Sequence, residues 1–230
     1  MGLLDKKSRS FSIVMIGYFS PMMFQPYWFK YNGIISDDEF NSIEDNKEKT
    51  VVTNSLTIFE TEDFFFKIEQ NRFSLIAKNE PFELLLDLLS KLQEKLPSLL
   101  IKKFGLNLSF HVDLENLENM NKFGDIIAPK VYWDSFFEDA DTSDKDTGLV
   151  AMGLARKTEF GFYNVSVESS APFKNHLFFA YNYHFNSEDG NDFEIVDVDE
   201  SARRHFKHFI ATSTNVTEHV IRSVLYGENK

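Results

Sequence analysis

The chain contains no cysteine, which excludes disulfide bonds, zinc ribbons and thiol nucleophiles together. It has only 10 glycines and 6 prolines in 230 residues, too few for a fibrous or low-complexity protein. No apolar run approaches the roughly 20 residues that a membrane-spanning helix needs. The apolar stretch Phe11–Phe19, which follows a basic N-terminus, is too short and too β-branched for a signal peptide. We therefore expect a cytoplasmic protein with no membrane partner.

The sequence also lacks a basic stripe, and its negative charge is concentrated in two short segments. The net charge is -12, of which Glu138–Asp146 contributes -4 and Glu188–Glu200 contributes -7. Binding of duplex nucleic acid needs basic residues that displace counterions from phosphates, so this distribution disfavours a nucleic-acid partner. We expect both segments to be solvent-exposed loops that attract a basic protein partner. The residues assigned to this role in the second segment are Glu188, Asp189, Asp192 and Glu194.

Hydrophobic residues make up 43% of the chain, including 25 phenylalanines, which is ample material for a core. Their periodicity predicts strands that alternate with helices. The predicted strands are 11–19, 51–59, 63–69, 72–78, 103–114, 147–157, 161–169 and 176–187. The predicted helices begin at Asp37 behind a Ser36/Glu39 capping box, run from a cap at Asn79 to about Leu96, and cover 115–123 and 201–226.

The clearest alternation lies in residues 103–114. Phe104, Leu106, Leu108, Phe110 and Val112 share one side of the predicted strand. The other side carries Asn107, Ser109, His111 and Asp113. This pattern is typical of an antiparallel sheet with one buried and one solvated face.

The order of elements repeats along the chain. Each half reads strand, helix, three strands and long helix, with little residue identity between the halves. We therefore predict an α+β fold with an antiparallel sheet and long helices packed on one face, in which two β-α-β-β-β-α halves form one curved sheet. A flexible N-terminus covers residues 1–10 and one domain covers 11–230, with pseudo-repeats at 11–98 and 101–226. The alternative is a single α+β domain whose element order only looks repetitive.

Several residue patterns resemble catalytic or metal sites without their geometry. Ser109, His111 and Asp113 have the residue types of a hydrolase triad, but alternate residues of one strand project in parallel, about 6.5–7 Å apart. A triad needs its nucleophile and base within about 3 Å. His208 and His219 share a helical face with His205 but are roughly 16 Å apart along the helix, too far for one ion. We assign no catalytic residue, no metal site and no cofactor.

The polar sides of two predicted strands give the best candidate site. Neutral polar side chains beside aromatic residues on an open sheet can dock a ligand or a peptide. The residues of this predicted surface are Asn107, Ser109, His111, Asn182, His184 and Asn186. A solvated sheet face without a ligand is the alternative.

Seven sequence pieces, in order over about residues 11 to 187, resemble a family of uncharacterised bacterial proteins. They are FSPMMFQPYWFKYNGII, ETEDFFFKIEQNRFSLIAKNEPFELLLDLL, KFGLNLSFH, FGDIIAPKVYW, GLVAMGLARK, GFYNVSVESS and FFAYNYHF. The chain departs from the family pattern at Tyr183, where the family carries an aspartate before the His-Phe pair. The resemblance implies a bacterial protein and brings no activity, because no catalytic residues are known for the family.

Two functional hypotheses follow. The first is a cytoplasmic, non-catalytic protein-binding or adaptor subunit of a larger assembly, of the kind often found in defence gene sets, with self-association left open. The second is a small-molecule-binding or hydrolytic domain in which His111 and His184 flank one concave pocket.

Overall fold

The computed structural model describes residues 9–97, 99–138, 148–159, 161–185 and 198–227. The strands are β1 (Ser10–Gly17), β2 (Val51–Val52), β3 (Leu56–Glu60), β4 (Phe64–Glu69), β5 (Arg72–Ala77), β6 (Ile101–Asp113), β7 (Ala151–Thr158), β8 (Gly161–Ser169) and β9 (His176–Phe185). The α-helices are α1 (Pro26–Tyr31), α2 (Asp37–Asp45), α3 (Glu83–Lys95), α4 (Leu117–Ile127), α5 (Asp134–Phe137) and α6 (Val198–Tyr226). Short 3-10 turns cover Pro21–Phe24, Lys47–Lys49 and Lys130–Trp133.

The strands of the described ranges form one curved antiparallel sheet in the order β2-β3-β4-β5-β1-β6-β9-β8-β7. This architecture confirms the predicted α+β class. The first strand of each half, β1 or β6, lies at the junction between the halves. From there to the edge, the other strands of each half follow in reverse sequence order, so the last strand lies beside the first. This is the arrangement predicted for two halves in one curved sheet, except that the first half has four strands after its helices, β2 to β5, where three were predicted. Descent of the halves from one duplicated unit stays a prediction.

The two faces of the sheet differ because side chains alternate along each strand. On one face, Phe11 and Ile13 of β1 and Phe110 of β6 are fully buried. Helix α6 packs on this face, where the rings of Phe206 and Phe11 meet edge to face at 5.2 Å. The neighbouring helix α3 is joined to α6 through Arg203, which donates to the Ser90 hydroxyl at 2.7 Å. The long helices therefore cover one face, and the opposite face of the central strands is only half-buried.

Two tyrosines tie α6 to the sheet. Thr217 donates its hydroxyl proton to the Ser213 carbonyl, so the Tyr181 hydroxyl donates to Thr217 Oγ1 at 2.8 Å. Ser213 likewise donates to the Phe209 carbonyl, so Tyr163 donates to Ser213 Oγ at 2.6 Å. Burial raises the pKa of Tyr181 to about 12, which keeps its hydroxyl protonated. Each of these two buried hydroxyls of α6 therefore accepts a hydrogen bond from a tyrosine of the sheet.

Most predicted elements are confirmed, including the reciprocal capping box between Ser36 and Glu39. The predicted strand at 51–59 is wrong as a single element, because a turn held by the Thr53 hydroxyl separates β2 from β3. Asn79 does not cap α3, since the helix begins four residues later and Phe82 occupies the cap position.

The predicted exposed segment Glu188–Glu200 also needs correction at its end. Helix α6 begins at Val198, so Asp199 and Glu200 lie in its first turn, where carboxylates interact favourably with the helix dipole. Asp199 accepts from Arg203 at 3.0 Å, and Glu200 forms an ion pair with Arg204. These two acids are therefore ion-paired helix residues. No described helix is long and apolar enough to span a bilayer.

Candidate functional site

A concave groove of about 580 Å³ lies on the open face of the sheet, opposite α3 and α6. Its lining residues all belong to the five strands β1, β6, β9, β8 and β7, and none of them carries a charge. The groove therefore runs across the strands as a trough whose floor is the sheet itself.

A row of asparagines crosses this floor. Asn107 of β6 lies opposite Asn182 of β9, which in turn lies opposite Asn164 of β8. Asn182 Nδ2 donates to Asn107 Oδ1 at 2.8 Å, and Asn164 Nδ2 donates to Asn182 Oδ1 at 3.3 Å. We call these three residues the asparagine row. Hydrogen-bonded amides in series polarise one another, so the row presents aligned donors and acceptors to the groove.

The next row of the floor consists of small side chains, which leave space above the sheet. Its members lie opposite one another on five successive strands. They are Ser10, Ser109, Ala180, Ser166 and Gly153. We call these five residues the small-residue row. Because none of them projects far from the backbone, a ligand can approach the sheet closely along this row.

His111 lies beyond one long side of the groove, in an aromatic setting. Its ring stands 5.0 Å from the Phe173 ring and 4.8 Å from the Phe178 ring, and its Nδ1 lies 3.0 Å from Ser170 Oγ. Burial lowers the pKa of His111, and the nearby His176 lowers it further. The imidazole is therefore neutral near pH 7.

His184 lies beyond the opposite long side of the groove, where it pairs with Gly105 and Phe162. Since Gly105 and His111 are six residues apart on β6, the two histidines are separated by roughly 20 Å along the strands. Neither histidine lines the groove, so the described residues form no pocket between two converging imidazoles. They cannot act on one reacting atom, so the structure lacks the pair of neighbouring histidines that the hydrolytic form of the second hypothesis requires.

Ser170 and His111 are within the distance that a nucleophile and its base require, but their surroundings give the pair a structural role. Ser170 Oγ also accepts the backbone N–H of Phe173 at 3.2 Å, which fixes the turn before β9. Asp113 lies 3.7 Å from His176 and opposite it in the sheet, so it does not orient His111. The sequence pattern Ser109, His111, Asp113 is consequently split between the groove floor and this turn.

The histidines of α6 also separate. His205 packs against the rings of Tyr183 and Phe185 at 5.5 and 5.2 Å, and burial is the main cause that lowers its pKa. His205 is therefore half-buried, whereas His208 and His219 are exposed. Across the described residues, no three His, Asp or Glu side chains converge to hold a metal ion.

The structure brings together half of the predicted surface. Asn107, Ser109 and Asn182 line the groove, whereas His111 and His184 lie outside it, beyond its two long sides. The remaining predicted residues, Asn186, Glu188, Asp189, Asp192 and Glu194, lie outside the described ranges.

The sequence interpretation missed the contribution of β8 and β1, namely Asn164, Ser166, Ser10 and Ser12. The alternation in GFYNVSVES was a usable signal for the first two. Placing them beside Asn182 and Ala180 also required the order in which the strands pair. No protein-family model matches the chain, and no curated protein is significantly similar to it.

Proposed function

We propose that this chain is a non-catalytic binding protein, an adaptor subunit whose groove receives an extended, uncharged segment of a protein partner. The observation that carries the proposal is the uncharged trough with the asparagine row along its floor. A peptide backbone offers one donor and one acceptor per residue, the same pair of groups that an asparagine side chain presents.

The dimensions of the groove favour a chain-like ligand. The trough crosses four strand-to-strand spacings, which gives it a length of about 19 Å. An extended peptide of about six residues has that length. Compact ligands are usually enclosed over most of their surface, whereas a trough with a floor of strands contacts its ligand mainly from one side. A ligand in this trough therefore gains contact area with the sheet by being long.

Charge in the sequence favours a partner with basic residues beside the uncharged segment. Residues 139–147, which precede β7, carry a net charge of -3, and residues 186–197, which follow β9, carry -5. Both β7 and β9 line the groove. Concentrated charge of this kind mainly raises the rate of association with an oppositely charged partner.

A second candidate function is binding of a small uncharged molecule in the same groove. The observation that favours it is the groove volume of about 580 Å³, which lies within the usual range for small-molecule sites. Both functions use the asparagine row, so the experiment must distinguish them by ligand.

The proposal is tested with two synthetic peptides that share an uncharged core of about six residues. One peptide has lysines on both sides of the core, and the other has glutamates. Binding is followed by NMR through the side-chain amide signals of Asn107, Asn164 and Asn182. We expect the lysine-flanked peptide to shift these signals, and Ala180→Trp, which fills the floor, to abolish the effect. Ala211→Trp on the exposed side of α6 is the matched control and should bind like the wild type.

The proposal fails if no core sequence in a peptide panel moves the asparagine signals. It also fails if Ala180→Trp binds as well as the wild type. Shifts caused by neutral small molecules but by none of the peptides would establish the second function instead.

A further inference from the structure

The two edges of the sheet are built differently. At one edge, β2 has only two residues, which is a usual way to prevent edge-to-edge pairing. At the other edge, β7 has eight residues, a length of about 26 Å. Among the described residues, no strand pairs with the outer side of β7. A long open edge of this kind is a template for pairing with another strand.

The composition of β7 permits such pairing. Its centre, Gly153 to Ala155, is uncharged, and the strand contains no proline. Leu154 is 59% exposed, and Val150 just before the strand is 78% exposed. The charged residues Arg156 and Lys157 stand near one end, away from the centre.

We propose that a second copy of this chain pairs with the outer edge of β7, antiparallel and with Leu154 opposite Leu154. The two-fold axis of such a pair is perpendicular to the sheet, so each face continues into the same face of the partner. The two Leu154 side chains then meet on the axis. In this register Lys157 lies opposite Ala151 of the partner subunit, which keeps the cations of the two copies apart.

Charge complementarity selects this register. Within one copy, Ala151 lies opposite Glu168 of β8. Lys157 of one copy is therefore in line with Glu168 of the partner subunit, with a single alanine between them. Two strand spacings separate their backbones, about 10 Å, which two long side chains can bridge. Both side chains are exposed, and neither forms an ion pair within the described part of the chain.

The neighbouring two-fold register lacks this match. If Ala155 lay opposite Ala155, Lys157 would lie opposite Gly153 of the partner subunit. Gly153 pairs with Ser166 in the small-residue row, so no acidic residue would be in line with Lys157. Within a single copy, Lys157 and Glu168 are six residues apart along the paired strands, or roughly 20 Å. An interaction between these two residues must therefore be intermolecular.

Light scattering coupled to size-exclusion chromatography, over a dilution series of the full chain, tests the pairing without any ligand. We expect the wild type to approach twice 26.8 kDa at high concentration. Lys157→Glu and Glu168→Lys should each shift the dimer towards monomer, because each places like charges in line. The double variant restores opposite charges and should dimerise like the wild type. Lys103→Glu, the same charge change on an exposed β6 residue, is the matched control and should leave the dimer intact.

A wild type that stays monomeric at every concentration overturns the proposal. So does a dimer that neither single variant weakens, or one that the double variant does not recover. Leu154→Asp adds an independent check, since it should abolish the dimer while circular dichroism and the thermal midpoint report an intact monomer. Peptide binding by the groove is measured separately, so a failed dimer and a failed groove remain distinguishable.

Discussion

At the scale of single residues, His111 shows how a polar side chain on an open sheet face becomes partly buried. The sequence correctly placed it beside Asn107 and Ser109 on one side of the strand. It did not predict the turn that brings Phe173 over the ring and Ser170 to Nδ1. That contact spans 59 residues of sequence, and strand periodicity carries no information about it.

We expect His111 to titrate below its ordinary pKa of 6.5, and Phe173→Ala to return that pKa towards 6.5 by exposing the ring. Because the pKa is lowered in the folded state, the contribution of His111 to the free energy of unfolding is present above pH 6.5. It is lost as the pH falls through the lowered pKa. NMR titration of the imidazole measures both values. Phe136→Ala, an exposed aromatic elsewhere, is the control, and a wild-type pKa at or above 6.5 would contradict the assignment.

At the scale of elements, the buried face of α6 contains apolar residues that its sequence pattern indicates and hydroxyl residues that the pattern does not indicate. Ala202, Phe206 and Phe209 recur in the sequence at the helical period, and all three are buried. Ser213 and Thr217 continue the stripe and are also fully buried. Small hydroxyl residues occur on exposed and buried helix faces alike. Their burial follows from the tyrosines of β8 and β9, which lie on other elements.

The Tyr181–Thr217 hydrogen bond predicts an asymmetric effect on stability. Thr217→Val leaves the buried tyrosine hydroxyl without an acceptor and should lower the free energy of unfolding by about 1–3 kcal/mol. Tyr181→Phe removes the donor while Thr217 keeps its bond to the Ser213 carbonyl, so it should cost only about 1 kcal/mol. In the double variant, Thr217→Val should add little to Tyr181→Phe. Urea denaturation measures all three, and equal, additive losses would show that the hydroxyls do not interact.

At the scale of the whole molecule, the two halves share one core. The sheet is continuous across β1 and β6, and Phe11 of the first half is enclosed by Phe206 of the second. The fold class and most elements followed from periodicity, because each strand and helix carries its own pattern. The groove did not, because it depends on the order in which five strands pair, and pairing order is a long-range property.

A shared core implies a single unfolding transition. Phe206→Ala should lower the free energy of unfolding by about 3–5 kcal/mol, the usual loss for a buried phenylalanine. Trp28 packs in the first half, and in a Trp133→Phe background it is the single tryptophan, so its fluorescence reports on the half that does not contain Phe206→Ala. We expect its denaturation curve to shift together with the circular dichroism signal. A first half that keeps its wild-type midpoint would instead mean that the halves unfold independently.

The division of the sheet into a helix-covered face and an open face has a consequence for how this protein can evolve. Residues of the small-residue row and the asparagine row contribute little to the packed interior, which lies on the other side of the same strands. Replacing them changes the shape and hydrogen-bonding pattern offered to a ligand while the helices hold the strands in place. Selection can therefore adjust specificity on one side of the sheet without first having to repair the fold on the other.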